Sequence, residues 1–173
     1  GEFLIPPITF RSGDIEKAFK ECAFVFSGSC ETPGQEHLYL EPQGAIAFYG
    51  EGGHLRVVSS TQGPTAVQKT IARVLAIPMH RIEVEVGRLG GGFGGKEDQA
   101  TPWAVMAALA ALHLKRAVKL VLPRMDDMRM TGKRHPYMSD FKIGLKADAS
   151  IHAYQVSFYQ NGGAATDLSP AVL

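Results

Sequence analysis

A dense run of glycines, ending in a lysine and a glutamate, is the part of the sequence best suited to ligand chemistry. The stretch RLGGGFGGKE covers residues 88–97 and places five glycines within six positions around Phe93. Glycine loses more backbone freedom on folding than any other residue, so this density exceeds what a tight turn requires. We therefore expect a ligand to approach the main chain here, with glycines that merely permit a turn as the alternative.

Two nucleotide-binding patterns fit the glycine run incompletely. Residues 90–95 match G-x-G-x-x-G, but no acidic residue follows about 20 positions later at the end of the next predicted strand, where a ribose hydroxyl needs an acceptor. Residues 90–96 match the start of G-x-x-x-x-G-K-[ST], but Glu97 stands where a hydroxyl is required. That carboxylate argues against a nucleotide hydrolase, while a dinucleotide-binding domain remains an alternative.

The elements before the glycine run predict that it shares a sheet edge with a second polar segment. Residues 55–60 are predicted to form a strand, residues 64–76 a helix with Pro64 in its first turn, and residues 81–88 another strand. Strands joined by a helical crossover normally lie parallel, so their C-terminal ends emerge at one edge. Gln62 and the glycine run should therefore be neighbours at the edge where such sheets usually bind ligands.

The remaining segments predict an α+β fold, in which a mixed sheet combines strand–helix–strand crossovers with antiparallel strands. The further predictions are a short helix at 14–22, three mostly antiparallel strands between 23 and 61, a helix from 101, a strand at 117–124, a loop at 125–136 and a hairpin turning near Asp148. The residues assigned to the core are Phe24, Phe26 and Phe48, with the helical stripe Val67, Ile71, Val74 and Leu75.

Composition limits the classes of partner. The chain has 173 residues, 45% of them hydrophobic and 20% charged, with a net charge of +1, so neither nucleic acid nor a membrane is an expected partner. Cys22 and Cys30 have no metal-binding or disulfide spacing, which favours a reducing, cytoplasmic location. Residues 1–20 are interpreted as a linker whose opening GEF is compatible with a cloning remnant, and residues 21–173 as the domain.

Five motifs, taken together and in order, resemble the molybdenum-cofactor domain of xanthine dehydrogenases and aldehyde oxidases. They are GQEHLYLEPQ, SSTQGPTAVQKTIARVL, RLGGGFGGKE, TGKRHP and NGGAATDLS, and the resemblance runs from about Ser12 to the chain end. The resemblance implies that the chain is the first segment of a larger molybdopterin-binding domain. It also implies a reaction in which an electron-poor carbon is hydroxylated with water-derived oxygen at a molybdenum–pyranopterin centre.

The resemblance assigns roles to matching residues. Gln62 would donate its amide to an oxygen ligand of molybdenum, and Gly91, Gly92 and Gly94 would offer main chain to the cofactor. Phe93 would stand beside the metal's oxygen ligand and shape the pocket. No residue would bind the metal directly, because in this family the pterin supplies the sulfur ligands, and the pterin could carry a cytosine dinucleotide.

Glu97 points to the substrate class. A carboxylate beside an apolar pocket can accept or donate a proton to a heteroaromatic ring, which suits a purine better than a simple aldehyde. Within the resemblance, xanthine dehydrogenases carry glutamate here and aldehyde oxidases typically an apolar residue. We therefore predict that Glu97 binds and polarises hypoxanthine or xanthine on the way to urate, with an aldehyde oxidase-type hydroxylase as the alternative.

Other polar residues near these motifs are given structural roles. Lys96 is expected to face solvent, and His37 and His135 to be hydrogen-bonded structural histidines rather than metal ligands.

The expected partners follow from what these motifs lack. Iron–sulfur clusters and FAD are expected on other segments or chains, as are the remaining molybdenum-domain segments, and the isolated chain is expected to be inactive. An inert structural piece is the remaining alternative, and the joint presence of Gln62, Phe93 and Glu97 argues against it.

Overall fold

The computed structural model describes residues 3–172, so the first two residues of the suspected cloning remnant and the last residue lie outside the described part. The helices and strands follow in chain order. They are α1 (Ile15–Lys20), β1 (Phe24–Thr32), β2 (Gly44–Tyr49), β3 (Leu55–Ser59), α2 (Pro64–Leu75), β4 (Ile82–Glu85), α3 (Thr101–Leu114), β5 (Val118–Val121), α4 (Arg124–Met130), β6 (Tyr137–Leu145), β7 (Ile151–Gln160) and α5 (Ser169–Val172). The expected α+β class is confirmed.

The chain divides into two compact units, a division that the sequence analysis did not predict. The first unit combines residues of 3–35 with residues of 134–172, and the second is Glu36–Lys133. Sequence-distant segments form the first unit because β1 pairs antiparallel with β6, which in turn forms the predicted hairpin with β7. The candidate residues Gln62 and 91–97 all belong to the second unit.

In the first unit, one face of the three-stranded sheet is covered and the other is not. Helix α1 begins at Asp14, whose side chain accepts a hydrogen bond from the Lys17 amide, and it packs on the face formed by Gly144 and Ala153. Phe24 and Phe26 lie on the opposite side of the pleat and are 53% and 55% exposed. The prediction that both belong to the core is therefore wrong for this unit, and Phe48 of the second unit is only half-buried.

The second unit contains a four-stranded mixed sheet in the order β4-β3-β2-β5. Strands β3 and β4 are parallel and joined by α2, so the predicted crossover is confirmed. Strand β2 is antiparallel to both β3 and β5, and β5 therefore runs in the same direction as β3. Helices α2 and α3 pack on one face of this sheet and against each other.

The core of the second unit lies between this sheet and the two helices. Val67 and Ile71 of α2 are fully buried, but Val74 is 54% exposed and Leu75 half-buried, so the predicted stripe is wrong at Val74. The side of α3 that faces the core is made of alanines, which let the helix approach the sheet closely. The buried members of this core are Ala45, Ala47, Leu55, Val57, Val67, Ile71, Ile82, Ala104, Ala107, Ala108 and Ala111.

The strand directions bring four connections to one edge of the second sheet. The residues after β3, β4 and β5 and those before β2 all emerge there, because β2 alone runs the opposite way. The first three connections include Gln62, the 88–97 run and α4, and the fourth is residues 36–43. This edge is the one on which the sequence analysis placed the candidate site.

The interpretation of residues 125–136 as a loop is wrong for their first half. Helix α4 begins after Pro123 and carries Asp126 and Asp127 in its first turn, where negative charge interacts favourably with the helix dipole. Among residues 3–172, no helix is long and apolar enough to cross a membrane.

Candidate functional site

Gln62 and the glycine run meet as the sequence predicted. The Gln62 side-chain oxygen Oε1 accepts hydrogen bonds from the backbone N–H groups of Gly94, at 3.0 Å, and Lys96, at 3.2 Å. Two fixed donors determine which end of the carboxamide is the oxygen, so Nε2 points away from the loop. Within the part of the chain that the structure describes, Nε2 has no hydrogen-bond partner, and it remains a free donor at the sheet edge.

The glycines are required mostly by the protein's own packing. A Cβ atom on Gly92 would lie 2.6 Å from Gln62 Cδ, one on Gly95 would lie 2.7 Å from His37 Cγ, and one on Gly90 would overlap Glu41 Cβ. Intramolecular contacts, rather than a ligand, therefore explain the missing side chains at these three positions. This corrects the expectation that ligand approach accounts for the whole run.

Gly91 and Gly94 have a different reason to be glycine. Their φ angles are +94° and +88°, in the region that residues with a Cβ rarely adopt. A Cβ on Gly94 would meet no atom within 4 Å, so the main chain is open to approach from that side. Gly94 is thus the position in the run where a bulky ligand could reach the backbone without moving the protein.

Phe93 combines an unfavourable backbone with an exposed ring. Its φ angle is +54°, which is uncommon for a large non-glycine residue, and its side chain is 64% exposed. An exposed phenyl ring in the left-handed region gains little from burial to offset that backbone strain. The arrangement fits a ring that borders a binding pocket, as the sequence analysis predicts.

Lys96 is buried, which corrects the expectation that it faces solvent. Its side chain is 0% exposed, and Nζ donates to the Glu41 carbonyl oxygen at 2.7 Å and to Ser60 Oγ at 2.6 Å. Nζ also lies 3.2 Å from a Glu41 carboxylate oxygen and 4.5 Å from the centre of the Tyr39 ring. The ammonium group therefore joins residues 36–43, the end of β3 and the glycine run.

The Glu41 carboxylate, together with Lys96 and Ser60, forms a polar cluster that also contacts the glycine run. One of its oxygens accepts hydrogen bonds from Ser60 Oγ, at 2.6 Å, and from the Gly90 amide, at 2.9 Å. Burial by itself would raise the pKa of Glu41, but these hydrogen bonds and the Lys96 cation lower it below its ordinary value. Burial lowers the pKa of Lys96, although Glu41 opposes that shift.

Because of this cluster, we expect the glycine run to become less stable at acidic pH. Because the folded-state pKa of Glu41 lies below 4.5, its contribution to stability is fully present above pH 4.5 and is lost as the pH falls through the folded-state value. The effect should be modest, since the side chain is 42% exposed and solvent screens it. Hydrogen exchange of residues 88–97 in the complete protein, corrected for intrinsic rates, should accelerate below pH 4.5. The Glu41→Gln variant should lack that acceleration, and the same acid response in both proteins would contradict the assignment.

A second buried network of hydrogen bonds also contacts the glycine run. Asp127 of α4 accepts hydrogen bonds from the Tyr39 hydroxyl, at 2.7 Å, and from the backbone N–H of Gln43, at 2.6 Å. Gln43 Nε2 donates to Tyr39 Oη at 3.0 Å and to the Gly95 carbonyl oxygen at 2.8 Å. Burial and the Asp127 hydrogen bond raise the pKa of Tyr39 to about 12, so its hydroxyl stays a donor at physiological pH.

Arg124 ties residues 36–43 to the start of α4. Its guanidinium donates to the carbonyl oxygens of Tyr39, at 2.7 Å, and Leu40, at 2.6 Å. Both contacts lie at the sheet edge that holds Gln62, so all four connections there are joined by hydrogen bonds.

Glu97 is half-buried, and its carboxylate makes no hydrogen bond or ion pair among residues 3–172. It directly follows Lys96, whose position is fixed on both its side chain and its main chain. A carboxylate held on a rigid backbone without an internal partner is available to a ligand.

The residues that support this site are not predicted by the sequence motifs. Glu41, Tyr39 and Gln43 lie within the motif GQEHLYLEPQ, which predicts no individual role for them, and Asp127 lies in the segment predicted as a loop. A tyrosine, a glutamate and a glutamine at alternate positions between two predicted strands were a usable signal, because buried polar residues require partners.

No protein metal site is found in the described residues. No cluster of three or more His, Cys, Asp or Glu side chains within 3–172 could hold a metal ion. His135 Nε2 lies 2.8 Å from Ser169 Oγ, as expected for a structural histidine. The edge instead offers a free amide at Gln62, open main chain at Gly94 and an exposed ring at Phe93, which fit a bulky cofactor carrying its own metal ligands.

The sheet order argues against dinucleotide binding. In a dinucleotide-binding unit, the strands on either side of the glycine loop and its helix are parallel neighbours. Here β4 and β5 lie at opposite edges of the sheet, and within residues 3–172 the one strand that pairs with β5 is β2.

Comparison with known proteins identifies the family. The family model described as "Molybdopterin cofactor-binding domain" matches residues 3–173. The xanthine dehydrogenase of Drosophila pseudoobscura pseudoobscura is 41% identical over 167 residues, which is 96% of this chain and 12% of that protein. The xanthine dehydrogenase/oxidase of Mus musculus is 41% identical over 172 residues, which is 99% of this chain and 13% of that protein. The chain thus spans only 12–13% of the length of these curated relatives.

Solved structures share the fold. Quinoline 2-oxidoreductase from Pseudomonas putida 86 superposes with a TM-score of 0.74 at 25% identity, covering 84% of this chain and 18% of that one. The aldehyde oxidoreductase from Desulfovibrio gigas superposes with a TM-score of 0.72 at 24% identity, covering 86% of this chain and 16% of that one. The second likeness shows the fold alone.

Proposed function

The chain belongs to the family of molybdopterin cofactor-binding domains, and on that premise we propose that it forms part of the cofactor and substrate pocket of a purine-hydroxylating molybdenum enzyme. The substrates would be hypoxanthine and xanthine, and the final product urate. The bound molybdenum–pyranopterin would remove two electrons from the substrate, while water supplies the oxygen. Iron–sulfur clusters and FAD on other segments or chains would carry the electrons away.

The orientation of Gln62 is the observation that carries this proposal. Its Oε1 is held by two backbone N–H groups, so Nε2 is presented outward at the sheet edge as a donor. A hydrogen bond from Nε2 would orient the cofactor without binding the metal, which is a common way for proteins to tune a metal centre. Open main chain at Gly94 would let the cofactor come within van der Waals distance of the loop.

Glu97 supports a purine as the substrate. Its half-buried carboxylate lacks an internal partner and can accept a hydrogen bond from a ring N–H or, when protonated, donate one to a ring nitrogen. A simple aldehyde such as benzaldehyde has no ring nitrogen to use this group. The relatives that match over nearly the whole chain are named xanthine dehydrogenases, which agrees with a purine substrate.

Replacing Glu97 with valine in the complete enzyme should impair purine turnover selectively. Loss of a hydrogen bond to a charged group corresponds to about 1.5–2 kcal/mol, so kcat/KM for hypoxanthine should fall ~10–30-fold. With benzaldehyde the same change should alter kcat/KM less than about threefold, because no ring nitrogen contacts the residue.

Glu97→Gln is the matched control for the valine change. It keeps the size and one acceptor oxygen, and it should fall between the wild type and Glu97→Val with hypoxanthine. Equal losses on hypoxanthine and benzaldehyde in Glu97→Val would contradict the purine assignment and favour an aldehyde oxidase-type hydroxylase.

A further inference from the structure

We propose that Lys96 is a positioning residue that holds Gln62 and Glu97 in a fixed relation to each other. This inference rests on the proposed function, because it concerns how the candidate site is kept ready for its cofactor and substrate. It assigns a role to a side chain that itself has no access to either.

The side chain of Lys96 is anchored at its end by groups from two other connections. Nζ donates to the Glu41 carbonyl oxygen and to Ser60 Oγ, and it forms an ion pair with the Glu41 carboxylate. Nζ lies 4.5 Å from the centre of the Tyr39 ring, and the whole side chain is buried. Lysine has three N–H donors, and all three find acceptors here.

The main chain of Lys96 is bonded to Gln62 in both directions. Its N–H donates to Gln62 Oε1 at 3.2 Å, and its carbonyl oxygen accepts a hydrogen bond from the backbone N–H of Gln62 at 2.8 Å. The same carbonyl oxygen accepts from Thr61 Oγ1 at 3.1 Å. A shift of the Lys96 backbone therefore changes the direction of the Gln62 carboxamide and displaces Glu97, the next residue in the chain.

The surrounding charges fix one arrangement of this side chain. The Glu41 carboxylate and the more distant Asp127 attract the ammonium group, while Arg124 repels it. A buried cation separated from its partners is strongly unfavourable, so the lysine has little freedom to occupy a second position. Through this one side chain, the geometry points to a coupling between the cofactor side and the substrate side of the site.

The test is Lys96→Met in the complete cofactor-loaded enzyme. Methionine has a comparable length and suits the buried stem, but it has no N–H donors, so the hydrogen bonds from residue 96 to Glu41 and Ser60 are lost. We expect kcat per bound molybdenum to fall about 10-fold with both hypoxanthine and benzaldehyde, as for other residues that orient a metal centre indirectly. We also expect the Mo(V) EPR signal after dithionite reduction to change, while molybdenum content stays near that of the wild type.

Lys69→Met on the exposed side of α2 is the matched control, and it should leave kcat per molybdenum and the EPR signal unchanged. If Lys96 had only a structural role, Lys96→Met would give a different result. It would bind less molybdenum, while kcat per molybdenum and the EPR signal would stay unaltered. That result, or no change in any of the three measurements, would overturn the proposal.

Ser60→Ala tests the same positioning role if the Lys96→Met protein does not accumulate. It removes one of the Nζ acceptors together with the hydrogen bond that Ser60 Oγ donates to Glu41. It should lower kcat per molybdenum about threefold, a smaller loss than in Lys96→Met, because the two Glu41 acceptors of Nζ remain. An unchanged kcat would overturn the positioning role. Failure of the purine proposal would be seen separately, as wild-type turnover of benzaldehyde without hypoxanthine, while the EPR comparison needs no substrate.

Discussion

Replacing Gly92 with alanine in the complete enzyme is expected to lower kcat per bound molybdenum about 100-fold, because misplacement of a positioned group by roughly 1 Å can have an effect of that size. The added Cβ would lie 2.6 Å from Gln62 Cδ and 2.9 Å from Gln62 Cγ, closer than side-chain carbons can approach. Gln62 would have to move, and its bonds to the Gly94 and Lys96 amides would break. The free Nε2 would then no longer point to the place where we propose that the cofactor binds.

Gly87→Ala is the control for this prediction. Gly87 precedes the run, a Cβ there would meet no atom within 4 Å, and its φ angle is not in the left-handed region. This variant should keep normal turnover. A similar loss in both variants would mean that the segment tolerates no change at all, whereas full activity in Gly92→Ala would remove the link between Gln62 and catalysis.

The meeting of Gln62 with the glycine run could be predicted from sequence because it depends only on topology. A strand, a helix and a second strand of ordinary length put both C-terminal ends at one edge, whatever the side chains between them do. The fold class could be predicted for the same reason, since turn residues and hydrophobic periods mark the elements locally.

The reasons for the individual residues could not be predicted, because they depend on tertiary contacts. Lys96 is buried by Glu41 and Ser60, which lie 55 and 36 positions away along the chain. An isolated lysine beside glycines looks exposed until its partners are known. Gly92 likewise looked like a ligand contact, although its nearest neighbour is the Gln62 side chain.

The division into two units shows the same limit. The strand β1 is followed by 11 residues before β2 (positions 33–43), and nothing in its sequence indicates that it pairs with β6, more than 100 residues later in the chain. Phe24 and Phe26 were assigned to the core because aromatic residues are usually buried. Helix α1 covers only the other face of that sheet, so their burial depends on the covering element and not on residue type.

Asp127→Ala should cause the largest loss of stability in the second unit. Its carboxylate accepts hydrogen bonds from the Tyr39 hydroxyl and the Gln43 amide, and it is 1% exposed. Removing it leaves two buried donors without acceptors, at about 1–3 kcal/mol each, so the local opening free energy should fall by about 2–6 kcal/mol. Hydrogen exchange of residues 36–43 and 88–97 in the complete protein should report this change, since Gln43 also donates to the Gly95 carbonyl oxygen.

The neighbouring Asp126→Ala is the matched control, because both residues lie in the first turn of α4 and only Asp127 is buried. Losing a negative charge from that turn lowers stability by no more than about 1 kcal/mol, so exchange in the two peptides should stay close to that of the wild type. If the two variants behave alike, Asp127 acts only through the helix dipole and the buried network does not hold the glycine run. If Asp127→Ala alone accelerates exchange at 88–97, α4 supports the glycine run from a distance of about 30 residues along the chain, through Tyr39 and Gln43.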